Sequence, residues 1–451
     1  MRRIALIEPA MIKSARFSEK PSWVLPPLAL AVLAGLTPSE VNITAWDDRI
    51  ETIDYETPID LAAISVKTHT ARRAYQIAAE YRRRGIPVVM GGYHPSLLTE
   101  EACQHADAVV VGAAEGLWPQ VLADAERGGL RTIYSHEEAA QRPAGQARPD
   151  RSIFNDKRYL PVAMVETGRG CPRACSFCSA AVVFGSQYLT RPVSAVVSEI
   201  EALRPKLVFF VDDNLAADRQ HAGDIMEAVA PLKTRWVGQA SLLMARDDEL
   251  LRLARASGCA GLLVGIESTN TDSLSQAGKT WSSVGPAGGL SAALAAFRSH
   301  GIAVGGSFVL GLDGDTPASL NATLEFAIRE RLFAALFNLL APYPGTRLYE
   351  HLQGEGRLQK PEWWLDPTYH YGETVFAPRH FSPAALSKQH DFMFRRFYGL
   401  PAVVRRFFDW SANARDLRQA FMYLTMNLPA RREETARSGL PLGLSVSERS
   451  K

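Results

Sequence analysis

Short apolar runs alternate with helical patterns from the N-terminus to about residue 128, at 4–7, 28–36, 41–46, 61–65, 71–84, 88–91 and 108–111. Strands buried on both faces read as continuous apolar stretches, and this spacing predicts a doubly wound parallel sheet over residues 1–130. Ligands of such sheets sit outside the carboxyl ends of the strands. There the chain carries Asp47-Asp48-Arg49, Ser65-Val66-Lys67-Thr68, Gly91-Gly92-Tyr93-His94 and Gly112-Ala113-Ala114-Glu115. The pattern stops over 131–158, where Glu137, Glu138, Pro143, Gly145 and Pro149 mark a linker. A second series follows, with strands at 162–166, 207–211, 236–239, 262–266, 304–310 and 336–340 and helices between them. Six strands, where a closed barrel has eight, predict a partial (β/α)6 barrel over 159–352 with its site again at the strand carboxyl ends. An α-rich C-terminal extension covers 353–430, and the polar residues 431–451 read as a disordered tail.

The chemistry concentrates in Gly170-Cys171-Pro172-Arg173-Ala174-Cys175-Ser176-Phe177-Cys178. A CxxxCxxC loop can hold three irons of a 4Fe-4S cluster and leave the fourth open, because such clusters are normally held by four thiolates. The alternative is structural zinc, which wants four closed ligands and could recruit only Cys259 or a distant His. With three of five cysteines assigned, Cys103 and Cys259 cannot build a second cluster, and both read as small buried residues.

On this loop, with Phe177 before the last cysteine, the chain resembles the radical S-adenosylmethionine (radical SAM) superfamily, whose free iron chelates the amino and carboxylate groups of S-adenosylmethionine. The resemblance implies that Phe177, Asp213, Asn214, Gln239, Ser241, Glu267, Ser268 and Ser307, all near the loop or at barrel strand ends, contact S-adenosylmethionine. It also implies that the N-terminal half is a Rossmann-like cobalamin-binding domain with Asp47, Arg49, Ser65, Lys67, Thr68, Gly91, Gly92, His94 and Glu115 around the cofactor. Arg49 stands where that domain's pattern has a cobalt-ligating His, and a guanidinium cannot ligate cobalt. The function implied is a cobalamin-dependent methyltransferase, moving a methyl group from S-adenosylmethionine to an unactivated carbon or a phosphinate of a small-molecule, lipid or tetrapyrrole-like substrate. The alternative is a radical oxidoreductase, cyclase or rearranging enzyme without methyl transfer. Either needs an electron donor such as flavodoxin or ferredoxin.

Charge narrows the partners. Fifty Lys and Arg against 48 Asp and Glu in 451 residues give no field that would favour nucleic acid. No apolar run approaches the ~20 residues of a membrane span, no cleavable signal precedes the first strand, and a cytoplasmic location is expected. The basic-aromatic stretches 392–398 and 403–410 read first as a packing face with snorkelling arginines, and alternatively as a surface for peripheral membrane contact.

Overall fold

Parallel strands need a crossover between each pair, and the helices that supply it cover both faces of the sheet. A computed structural model describes residues 1–14, 24–136, 147–279 and 289–444; Glu137, Glu138, Pro143 and Gly145 of the expected linker lie outside them. Strands β1 (Arg3–Glu8), β2 (Asn42–Asp47), β3 (Leu61–Ser65), β4 (Val88–Gly91), β5 (Ala108–Val110) and β6 (Ile133–Tyr134) form one parallel sheet in the order 2-1-3-4-5-6. Side chains alternate across it. Ile4, Leu6, Leu61 and Ala63 meet Leu30, Ala34 and Trp118 on one face. Ala5, Ile7, Ala62 and Ile64 meet Ala74, Ile77 and Tyr81 on the other. Tyr134 and Phe154, both within the stretch expected as linker, are buried in the first of these cores.

The second sheet is also parallel, with β7 (Ala163–Val165), β8 (Leu207–Phe210), β9 (Arg235–Ser241), β10 (Cys259–Glu267), β11 (Ala303–Leu310) and β12 (Ala334–Leu339) paired in chain order. Among the described residues β7 and β12 do not pair with each other, so the barrel stays open. Its outer helices start where a side chain can accept an orphan N–H. Asp218, Asp247 and Thr316 each cap a helix in this way.

The C-terminal segment corrects one expectation. Helix Leu417–Arg437 runs through the start of the stretch read as a disordered tail, and Gly443–Leu444 pairs in parallel with Ile12–Lys13. Leu442 is fully buried in the N-terminal core beside Trp363 and Trp364. The segment is ordered because it finds partners far back in the chain. The Leu444 N–H donates to Gln76 Oε1 at 2.9 Å, and the Gly443 N–H to the Met11 carbonyl at 2.8 Å. Residues 445–451 lie outside the described residues.

Deleting the Leu442 side chain as Leu442→Ala should cost about 2–4 kcal/mol, as buried leucines do. The melting temperature checks it, and an unchanged midpoint would mean that the returning segment is only loosely held.

Candidate active site

The cysteine loop leaves the barrel just after β7 and is held from three sides. Gly170 sits at φ +87°, and a Cβ there would lie 2.4 Å from the Gln187 carbonyl oxygen, so only glycine fits. Its N–H donates to Asp213 Oδ2 at 3.0 Å. The Ser176 N–H and hydroxyl both donate to the Ala277 carbonyl, at 3.2 and 3.3 Å. From helix Arg347–Gly354, Leu348 N–H donates to the Ser176 carbonyl at 2.9 Å and Arg347 donates to the Ala174 carbonyl. Pro342 and Pro344 set the turn into this helix, and the segment 342–349 thereby clamps the loop.

Cys171, Cys175 and Cys178 are half-buried. Burial, above all, pushes the Cys175 thiol up to about 11, and it raises that of Cys178. The two neighbouring cysteines add to the rise of the Cys175 thiol, as Cys171 does to that of Cys178. A soft metal that displaces the protons suits such a set. Cys259 cannot complete it. It starts β10 at the far end of the barrel, fully buried, its thiol pushed up to about 12 by desolvation. Cys103 belongs to helix Thr99–His105 of the N-terminal half and is part-buried rather than buried as expected. Neither remaining cysteine joins the loop, so a site of three thiolates with an open position fits, and a closed zinc site completed by Cys259 does not.

A cavity of about 920 Å³ opens beside the loop, between the carboxyl ends of both sheets and the C-terminal helices. It gathers Phe177, Glu267 and Ser307 of the expected S-adenosylmethionine set, and Arg49, Lys67 and Thr68 of the expected cobalamin set. Glu267 is held at φ +66°, at a register shift between β10 and β11, and its carboxylate is paired with Lys279. A non-glycine residue in the left-handed region is strained, and strain of this kind collects at functional sites. Lys279 also donates to the Gly265 carbonyl at 3.1 Å and helps to offset the burial of Cys175. Sequence gave no signal for Lys279, a lone lysine after a glycine. Nor did it flag His69, which lines the same cavity, is pushed down to about 4 by desolvation and lies 3.4 Å from the Tyr343 hydroxyl.

A second cavity, of about 330 Å³, lies between the end of the first sheet, helix Leu28–Leu36 and the start of the barrel. Ser65, Lys67, Gly91, Gly92 and Glu115 line it, as does Asp213 from β8's end, whose carboxyl burial holds above the ordinary range. Much of its wall is glycine and alanine, leaving a slot that longer side chains would fill. Gly92, at φ +103°, would carry a Cβ 2.8 Å from the Val66 carbonyl oxygen and cannot be replaced without strain. Lys67 and Tyr93 border both cavities.

Several expected contacts are committed elsewhere. His94 is a correction: it is fully buried, with Nε2 2.9 Å from Glu101 and 3.1 Å from the Tyr75 hydroxyl, and packs edge-on against Trp364. The helix Tyr93–Leu97 that begins after Gly92 turns it into the core. Asp47 is buried and receives Arg49 Nε at 2.8 Å and the Tyr159 hydroxyl at 2.9 Å, so it braces Arg49 and lines neither cavity. Asn214 accepts the Ser241 N–H at 3.1 Å, and Ser268 accepts the Asn270 N–H at 3.0 Å. Asn214, Ser241 and Ser268, with Gln239, tie or form strand ends outside the two cavities. Glu115 lines its cavity, but its carboxylate receives Arg169 at 2.9 and 3.2 Å.

The chain is also similar to known proteins. The family model for the radical SAM superfamily matches residues 165–327. Bacteriochlorophyllide d C-12(1)-methyltransferase of Chlorobaculum tepidum is 29% identical over 393 residues, covering 84% of this chain and 84% of that protein. Bacteriochlorophyllide d C-8(2)-methyltransferase of the same organism is 28% identical over 358 residues, 74% of this chain and 78% of that protein. The structure of the radical S-adenosylmethionine methyltransferase TsrM from Kitasatospora setae, with cobalamin and a 4Fe-4S cluster bound, superposes with a TM-score of 0.61 at 18% identity, over 78% of this chain and 75% of that one. This last likeness is one of fold.

Gly170→Ala should leave the far-UV circular dichroism unchanged while iron incorporation falls severalfold; full iron content would show that the loop tolerates a Cβ. A pH effect follows from Asp212, which is buried under hydrogen bonds from Thr167 and Tyr188 and is raised by desolvation to about 6. With a folded pKa above the unfolded value, the native state binds the extra proton. Its contribution is fully present below about pH 4 and is lost as pH rises through about 6, a change of roughly 3 kcal/mol at 1.36 kcal/mol per unit. Melting curves of the protein and of Asp212→Asn from pH 4 to 7 should therefore shift in the variant's favour as pH rises, whereas parallel curves would refute the assignment.

Proposed function

The chain is a radical SAM protein similar to bacteriochlorophyllide methyltransferases and, in fold, to a methyltransferase solved with cobalamin bound, and from that premise we propose that it transfers a methyl group from S-adenosylmethionine, through cobalamin, to an sp3 carbon of an apolar, ring-system substrate of tetrapyrrole type. The observation that carries this reading is the meeting of the two cavities at Lys67 and Tyr93. The cluster would be held by Cys171, Cys175 and Cys178; S-adenosylmethionine by Phe177, Glu267, Ser307 and Asp213; and cobalamin by the ends of β3 and β4 at Ser65, Lys67, Gly91 and Gly92. When bound, the cluster and S-adenosylmethionine supply a carbon radical and cobalamin supplies a methyl group.

The protein's own work is enclosure and orientation. The larger cavity is walled by Phe177, Phe337, Tyr343, Trp363 and Tyr369, faces that suit a flat apolar ring, which on binding would displace water from it. Arg49, locked onto Asp47, offers cobalt no ligand. His69 and Tyr343 are both neutral near pH 7, the first pushed down to about 4 and the second up to about 12 by burial, so they give the substrate hydrogen-bonding groups without charge. His390, Glu434 and Arg437 form a polar end for a substrate's ionisable group.

An electron donor is required, and a flavodoxin or ferredoxin in the cytoplasm fits. Among the described residues no helix is long and apolar enough to cross a membrane. The radical oxidoreductase or cyclase alternative is the weaker reading, because three relatives named methyltransferase or methylase cover 74–84% of the chain, whereas those named cyclase cover 65%.

Protein purified anaerobically with cobalamin supplied should hold about four irons and stoichiometric corrinoid, and should convert a tetrapyrrole acceptor to a product heavier by one methyl group. Release of 5′-deoxyadenosine with an unmethylated product would move the assignment to the oxidoreductase class.

A further inference from the structure

Helix Leu417–Arg437 is amphipathic in the wrong sense for a free surface. Its buried side carries Gln419, Tyr423 and Asn427, all fully inaccessible. Gln419 donates to the Ala260 carbonyl at 3.0 Å, and Asn427 to the Phe333 carbonyl at 3.0 Å. The outward side carries Leu417, Phe421, Leu424 and Leu428, at the i, i+4, i+7, i+11 spacing of a single stripe. Leu417 is 90% exposed and Phe421 71%. Polar side chains anchor this helix to the barrel while its leucines face outward.

The preceding helix, Leu400–Phe407, packs against it, the Tyr423 hydroxyl donating to the Val403 carbonyl at 2.8 Å. It exposes Leu400 and Val404, and Phe408 and Trp410 follow, both exposed and in ring contact. A monomer seldom shows so much apolar surface in one place.

Around it lie six exposed arginines: Arg395, Arg396, Arg405, Arg418, Arg431 and Arg432. None forms an ion pair among the described residues, whereas exposed arginines such as Arg83, Arg219 and Arg379 each hold a carboxylate. Unpaired guanidinium groups bordering leucine and aromatic side chains match a diffuse negative field over an apolar layer better than the fixed charges of one protein partner.

We propose that this two-helix face docks on an anionic lipid bilayer. The same elements reach the substrate cavity from behind: helix Leu417–Arg437 gives it Glu434 and Arg437, and helix Pro383–Phe397 gives it His390 and Phe394 while exposing Phe392. Docking would thus set the polar end of the cavity beside the headgroup layer, where an apolar substrate with an ionisable group accumulates. The lipid contact itself needs neither cluster nor corrinoid, so its test is separate from that of methyl transfer.

The test is cosedimentation of the full chain with vesicles of phosphatidylcholine alone and of phosphatidylcholine mixed with phosphatidylglycerol. Binding should be confined largely to the anionic vesicles and weaken as salt rises. Phe421→Ser/Leu428→Ser and Arg431→Ser/Arg432→Ser should each weaken it by about tenfold or more. Trp410→Ser, outside the helix, keeps the test readable if the helix variant does not fold. No affinity for anionic vesicles would overturn the proposal. So would a dimer in analytical ultracentrifugation that the same substitutions dissolve without changing vesicle binding, since the stripe would then be a contact between copies of the chain.

Discussion

Arg169 joins the two halves of the active site. It stands one residue before Gly170, donates to Glu166 on its own side at 2.8 and 2.9 Å, and reaches Glu115 at the end of the first sheet. Burial opposes the charge of its guanidinium, and the two carboxylates overcome that opposition, so its pKa is raised and not lowered. A buried ion network of this kind contributes little net stability, but loss of one member leaves an uncompensated charge. Its bidentate geometry fixes direction as well as distance. Arg169 therefore ties the cysteine loop to the glycine-lined cavity, and Tyr93 packed edge-on against Phe184 adds a second contact between the halves where the two cavities meet.

Closure of the site falls to the C-terminal segment. A six-stranded open barrel leaves the edge of β12 uncovered, and helix Pro383–Phe397 and its successors cover it. Arg406, fully buried, donates to the carbonyls of Leu332, Phe333 and Phe397 and stacks on the Phe397 ring at 3.6 Å. The chain then returns to the first domain, where Trp364 donates to Glu101 at 3.0 Å and Leu442 completes the core. These contacts span more than 260 positions in sequence for Trp364 and Glu101. Contacts so distant in sequence carry a closure cost, and the closing wall depends on both sheets for the surfaces it rests on.

This order of dependence explains what could be read from sequence. Parallel strands announced themselves because burial on both faces demands continuous apolar runs, and the cysteine loop did so because metal ligation fixes covalent spacing. Gly91 and Gly92 were legible for the same local reason. Lys279, His69 and Arg169 were not: each has an ordinary surface-type neighbourhood in sequence and acquires its role only from a partner on another strand end. His94 misled in the opposite direction, since a histidine after a glycine pair looks ligand-facing until Glu101 and Tyr75 are seen to claim it. The tail misled because its composition is polar, whereas its order rests on Leu442 and on backbone pairing that any sequence can supply.

The left-handed conformation of Glu267 links these points. A non-glycine residue costs about 1–2 kcal/mol there, and an exposed acid would relax. Lys279 prevents this by holding the carboxylate, and the β10–β11 register shift supplies the backbone freedom. Gly265 is equally constrained, since a Cβ there would lie 2.5 Å from the Glu267 carboxylate and 2.8 Å from Lys279 Nζ. Because the pair lies beside Cys175, its two charges largely cancel at the place where a cationic cosubstrate would meet the cluster. A free carboxylate would attract that cation but leave its position loose, and a free lysine would repel it. A paired carboxylate with oxygen lone pairs still open toward the cavity does neither: it keeps a fixed acceptor at the cluster's edge, and the local strain persists because the surrounding strand ends permit no other arrangement.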